Sequence, residues 1–192
     1  MKTDAKLTPV RDAHRFDENA LNEYLKNYLE GYAGSLKVQQ FEGGQSNPTF
    51  LLMAGDAQYV LRKKPPGKLL PSAHQVEREF RVMKALEQSD VPVPRMDLLC
   101  EDENIIGTPF FVMEHVQSRV LEDITLPDMA PEERRALYFD LIRVLAALHS
   151  VDYTARGLDS FGKPGNYSAA RSVAGPSNMW PPKPTKSNPW NG

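Results

Sequence analysis

The residues of this chain best suited to chemistry are ones that handle phosphate. Gly43 and Gly44 open the turn Gly43-Gly44-Gln45-Ser46-Asn47-Pro48-Thr49. Paired glycines free a backbone to approach phosphate oxygens closely, and the Ser46 hydroxyl can donate to one. The turn is neither a Walker A loop nor a full G-x-G-x-x-G, so an ordinary hairpin turn competes with that reading. A strand ending on charge follows, Tyr59-Val60-Leu61-Arg62-Lys63-Lys64. Strand side chains alternate, so Val60 and Arg62 share one face while Leu61 and Lys63 share the other. A nucleoside triphosphate needs a small apolar roof over its base and a cation over its phosphates, which Val60 and Arg62 can supply. A solvated charge run at a strand end is the alternative. The acids that come next favour the first reading, because a cation reaching phosphate needs a partner to hold it. Glu77 or Glu79 on the following helix can serve. Residues 59–84 carry seven basic side chains (Arg62, Lys63, Lys64, Lys68, Arg78, Arg81, Lys84) against two acidic ones, which suggests an anionic ligand, with a solvated basic face as the alternative.

These residues must be positioned by regular elements. Asp17 can cap a helix running to about Glu30, with Leu21, Leu25 and Leu29 on its buried face and Gly31 and Gly34 ending it. Strands are expected near 36–41, 49–54 and 57–63, at antiparallel hairpin spacing. Pro65-Pro66-Gly67 breaks the chain. Ser72 with Gln75 forms a capping box for a helix over 73–88, whose apolar face is Val76, Phe80, Met83 and Leu86. After the extended Val91-Pro92-Val93-Pro94, strands near 96–101 and 109–116 flank the turn Glu101-Asp102-Glu103-Asn104. That makes a five-stranded antiparallel sheet with one crossing helix. Pro131-Glu132-Glu133 starts a further helix over 131–149, with Leu137, Leu141, Val144 and Leu148 in helical period. The expected organisation is a flexible arm at 1–15, a lobe ending in a hinge at 16–116, the start of a second lobe at 117–170, and a tail at 171–192. The tail holds five prolines (Pro176, Pro181, Pro182, Pro184, Pro189) and is expected to be disordered.

Composition frames the function. The chain has 192 residues, 41% of them hydrophobic, enough for one domain with a core. A net charge of -2 and no aromatic interleaving of basic residues argue against nucleic acid. The single cysteine, Cys100, excludes an internal disulfide and fits a reducing compartment. Neither a secretory h-region nor a run long enough to span a membrane is present. The expectation is a soluble intracellular protein, with cytoplasm, mitochondrion and peroxisome indistinguishable.

The glycine turn, Tyr59-Val60-Leu61-Arg62, Val76-Glu77-Arg78-Glu79, Val91-Pro92-Val93-Pro94 and Phe111-Val112-Met113-Glu114-His115 occur in an order that resembles the aminoglycoside phosphotransferase/choline kinase-like family. The stretch from Val60 to Glu79 is most similar to the phosphotransferase-like domain preceding the acyl-CoA dehydrogenase domain in members 10 and 11 of the acyl-CoA dehydrogenase family. The resemblance covers about residues 16–167, including Leu148-His149-Ser150-Val151-Asp152 and Gly165-Asn166-Tyr167. It implies an α+β protein kinase-like small lobe with the first helix or two of the large lobe, and ATP with Mg²⁺ as cofactors. Under it, Arg62 stands where the family has its phosphate-binding lysine, and Glu79 is the helix partner. Met113 is the gatekeeper, and the carbonyl of Glu114 and amide of Val116 meet adenine at the hinge. Arginine for lysine keeps the charge but changes the geometry. The family's catalytic loop, His-Gly-Asp with an asparagine five residues after the aspartate, is absent from these residues, as is its later metal-binding aspartate.

None of His14, His74, His115 or His149 has an aspartate two residues on. Asp159-Ser160-Phe161-Gly162 is similar to a metal-binding Asp-Phe-Gly with an insertion, and is expected to be a turn. No catalytic residue and no metal ligand is therefore assigned. The sequence suggests a chain cut short after its small lobe, such as a truncated isoform. The family function is ATP-dependent phosphoryl transfer to a small hydroxylated substrate, with these residues expected to bind nucleotide weakly and to be inactive alone. The other reading is a non-catalytic nucleotide-binding or interaction protein, whose uncovered 131–149 helix would take a protein partner or a second copy.

Overall fold

The Asp17 carboxylate accepts from the backbone N–H groups of Asn19 and Ala20, and the helix it caps, α1, spans Glu18–Tyr28. The computed structural model describes residues 6–42, 47–65, 67, 74–119, 121 and 123–162. Its strands are β1 (Leu7–Thr8), β2 (Leu36–Phe41), β3 (Thr49–Ala54), β4 (Ala57–Lys63), β5 (Met96–Cys100) and β6 (Phe110–Glu114). They form one sheet in the order β1-β2-β3-β4-β6-β5, and every neighbouring pair is antiparallel. The sheet thus has six strands where five are expected. The additional one comes from the stretch expected to be a loose arm. Leu7 and Thr8 pair with Phe41 and Gln40, and the buried Gln40 side chain accepts from the Arg11 backbone N–H and meets His14 Nδ1. Two residues are too few to show strand alternation, so pairing to a sheet edge gives no sequence signal.

Helix α2 spans Val76–Leu86, shorter than the expected 73–88. Gln75 precedes it with no side-chain cap; Ser72, its expected capping partner, lies outside the described residues. The expected turn at 101–104 instead leads into a one-turn helix, α3 (Glu103–Ile106). Asp102 caps it, buried Ile106 anchors it, and Gly107 ends it in the left-handed region at φ 83°. Helix α4, Pro131–His149, has the expected bounds, with proline and two glutamates in its first turn.

Alternation along the strands divides the sheet into two faces. One carries Phe50, Leu52, Tyr59, Leu61, Phe110 and Val112, and Leu21 and Leu25 of α1, with Leu29 just after it, close over it. The other carries Leu51, Val60, Arg62, Phe111 and Met113. Val76, Phe80 and Met83 of α2 cover only its β5–β6 end, around Phe111 and Met96. No residue of α4 is buried, and Leu141 and Ile142 are about 60% exposed. Residues up to Asp152 form one compact unit and those from Tyr153 another. In the second, Asp159-Ser160-Phe161-Gly162 lies in turns, with the Phe161 amide donating to the Leu158 carbonyl. The 171–192 tail lies outside the described residues. Among those described, no helix is long and apolar enough to cross a membrane.

Candidate functional site

The half of the sheet face that α2 leaves uncovered forms a cavity of about 750 Å³. Leu51, Val60 and Met113 floor it, and Val60 and Met113 are directly opposite in the β4–β6 register. Pro92, Val93 and Pro94 wall one side, and Glu114 at the end of β6 with His115 and Val116 beyond it runs along the rim. An apolar slot edged by an extended backbone segment suits a flat heteroaromatic ring, which takes apolar contact on its faces and hydrogen bonds at its edge.

Arg62 stands two residues beyond Val60 on the same face and opposite Thr49, itself a lining residue. Its Nε lies 2.8 Å from Glu79 Oε2, so the ion pair between strand and helix that alternation calls for is present. The buried Nε makes no directed hydrogen bond, so at that nitrogen the pair is a charge–charge contact. Lys64, the other cation on that face, reaches Glu77 Oε1 at 3.1 Å, so both helix acids hold a strand cation. Lys63 points the other way. It is 3% exposed, its ammonium sits 5.8 Å from the Phe16 ring centroid, and burial pushes its pKa below the usual lysine value.

Of the residues singled out from sequence, Val60, Met113, Glu114 and Val116 line the cavity, and Arg62 and Glu79 pair beside it. Gly43, Gly44 and Ser46 lie outside the described residues. The sequence reading passed over Asn47. Its side chain is 1% exposed and donates from Nδ2 to Glu79 Oε1 at 2.7 Å, while its Oδ1 lies 2.9 Å from His74 Nδ1. No period marks such a residue, because its partners are separated by 32 and 27 positions. Among the described residues no group of three or more His, Cys, Asp or Glu side chains is placed to hold a metal. Glu77 and Glu79 are engaged by cations and Glu114 is 3.8 Å from Arg95, so these carboxylates, among the described residues nearest the cavity, do not fit a Mg²⁺ ion.

Residues 37–177 match a family model described as the phosphotransferase enzyme family. Acyl-CoA dehydrogenase family member 10 of Mus musculus is 50% identical over 160 residues, which cover 83% of this chain and 15% of that protein. Acyl-CoA dehydrogenase family member 11 of Homo sapiens is 45% identical over 163 residues, covering 83% of this chain and 21% of its own length. Among solved structures, one from Ralstonia eutropha JMP134, provisionally assigned as an aminoglycoside phosphotransferase, superposes with a TM-score of 0.71. It is 46% identical, over 86% of this chain and 50% of that one. The chain therefore spans about a fifth or less of these curated relatives and half of the solved structure. With the antiparallel sheet and its crossing helix, these matches identify an α+β fold of the protein kinase-like kind.

Proposed function

The chain belongs to the phosphotransferase enzyme family, and on that premise we propose that its cavity is the nucleotide-binding half of an ATP-dependent phosphotransferase acting on a small hydroxylated substrate. The observation that carries this reading is the Arg62–Glu79 pair standing next to the slot between Val60 and Met113. A base in that slot would have its edge along Glu114–Val116, and its phosphates would extend toward Arg62. Glu79 restrains the Arg62 side chain, lowering the entropy lost when the guanidinium meets phosphate.

Phosphoryl transfer also needs an aspartate to orient the acceptor hydroxyl and carboxylates to hold Mg²⁺. These residues supply neither, so the 192-residue chain by itself binds nucleotide weakly and transfers no phosphoryl group. We assign it no dehydrogenation. Calorimetry with Mg-ATP and with adenosine, together with a product assay on sugars, aminoglycosides and lipids, tests the reading. Expected are weak binding that Arg62→Ala removes for ATP but not for adenosine, and no product. Absence of any nucleotide binding, or turnover that Asp159→Ala abolishes, would overturn it. A second reading, a non-catalytic interaction protein, is favoured by one observation: the exposed Leu141, Ile142 and Leu145 of α4.

A further inference from the structure

Four side chains from four segments form a line that ends on Arg62. His74 Nδ1 lies 2.9 Å from Asn47 Oδ1, Asn47 Nδ2 donates to Glu79 Oε1 at 2.7 Å, and Glu79 Oε2 is 2.8 Å from Arg62 Nε. We propose that Asn47 and His74 are positioning residues for the nucleotide site, fixing the Glu79 carboxylate so that Arg62 faces the phosphate end of the cavity; this rests on the nucleotide-binding reading above.

The polarity of the line follows from the chemistry of its ends. A Glu79 carboxylate paired with Arg62 can only accept, so Asn47 must turn its amide NH₂ to Glu79 and its oxygen to His74. His74 must then donate from Nδ1, which excludes the neutral tautomer protonated only at Nε2. Both carboxylate oxygens of Glu79 are thereby used, and the carboxylate cannot rotate without breaking one contact. The burial of Asn47 makes each of its bonds costly to lose. His74 sits at φ 60°, a left-handed conformation that few side chains adopt, just ahead of α2. Asn47 belongs to the glycine-turn sequence and stands two residues before β3. The line therefore couples the segment that leads into β3 to the segment that leads into α2.

Two measurements on the 192-residue chain test this. In the ligand-free protein, the Arg62 Nε–H resonance, assigned by its loss in Arg62→Lys, should shift or broaden in Asn47→Leu and His74→Gly. His74→Gly relieves the backbone but removes the donor; His74→Asn tolerates the same backbone, restores a donor and should return the resonance. In calorimetry, the ratio of Mg-ATP to adenosine affinity should fall about tenfold in Asn47→Leu and His74→Gly, and recover in His74→Asn. An unmoved resonance with an unchanged ratio overturns the positioning proposal. A moved resonance in a protein whose wild type does not prefer ATP to adenosine instead leaves the positioning standing and sinks the nucleotide reading. Should Asn47→Leu fail to fold, the two His74 variants decide alone.

Discussion

The two faces of the sheet are cut from the same strands and have opposite fates. The face under α1 is continuous, with Phe50, Leu52, Leu61, Phe110 and Val112 all fully buried. The other is covered by α2 only around Phe111 and Met96, and beyond them it opens into the cavity. Alternation along β4 makes the contrast within seven residues: Tyr59, Leu61 and Lys63 go to the sealed side, Val60 and Arg62 to the open side. The sealed face supplies the stability, and the open face can therefore leave apolar area uncovered beside its ion pairs. The steepest test is to cut one side chain from each. Phe50→Ala should cost about 3–5 kcal/mol, and Val60→Ala, which borders empty space rather than packed side chains, about 1 kcal/mol. Urea denaturation reads both, and equal losses would break the contrast.

Lys63 is the exception on the sealed face, a cation among apolar side chains with an aromatic ring as its neighbour. Burial lowers its pKa, so the folded state holds its proton less tightly than the unfolded chain. Stability then rises with pH between the folded value and the unfolded one near 10.4. Lys63→Met should stabilise by about 1 kcal/mol at neutral pH, raising Tm by about 2–4 °C. The gain should shrink on moving to alkaline solution. A destabilised variant at pH 7 would mean that the Phe16 contact outweighs burial.

This contrast also explains what could be read from the sequence. The strands β2, β3 and β4 and helix α4 were legible because each is a long periodic run bounded by glycine or proline. Alternation fixes the side of Arg62 but leaves Glu77 and Glu79 both open as its partner, and it is the family resemblance that points to Glu79. β1 was not legible, since two residues carry no period, nor was α3, where one Asp cap and one buried Ile106 turn an apparent loop into a helical turn. Asn47 and His74 were missed for another reason. Their roles depend on a hydrogen-bond line between distant segments, which neither hydropathy nor local spacing encodes.

Helix α4 carries the contrast further. It has an apolar sequence with no covering layer among the described residues, whereas α1 has both. An uncovered apolar helix favours association. Leu141→Glu should lower self-association seen by light scattering while changing unfolding free energy by less than about 0.5 kcal/mol. If scattering is unchanged, α4 is not the associating surface.

The smallest expected effect concerns how α2 is held to the open face. Its C-terminal end grips the first residue of β5 from both sides: Lys84 Nζ donates to the Met96 carbonyl, and Glu87 accepts from the Met96 amide. Partial burial alone would raise the Glu87 pKa, but the Met96 N–H and the Lys84 ammonium outweigh it and hold the carboxyl below its ordinary value. A carboxyl depressed in the folded state contributes stability in full above its unfolded pKa, about 4.3, and loses it as pH falls through the folded value. Glu87→Gln keeps an acceptor for Met96 and removes only the charge. The variant should therefore be weaker than wild type by about 0.5 kcal/mol at pH 7, with the two urea midpoints converging by pH 3. The corresponding loss on the sealed face would be insensitive to pH over that range, since α1 packs there through Leu21 and Leu25, which do not titrate. A Glu87→Gln deficit that persists unchanged at pH 3 would show that shape rather than charge fastens α2, and the two faces would then be held by the same kind of force.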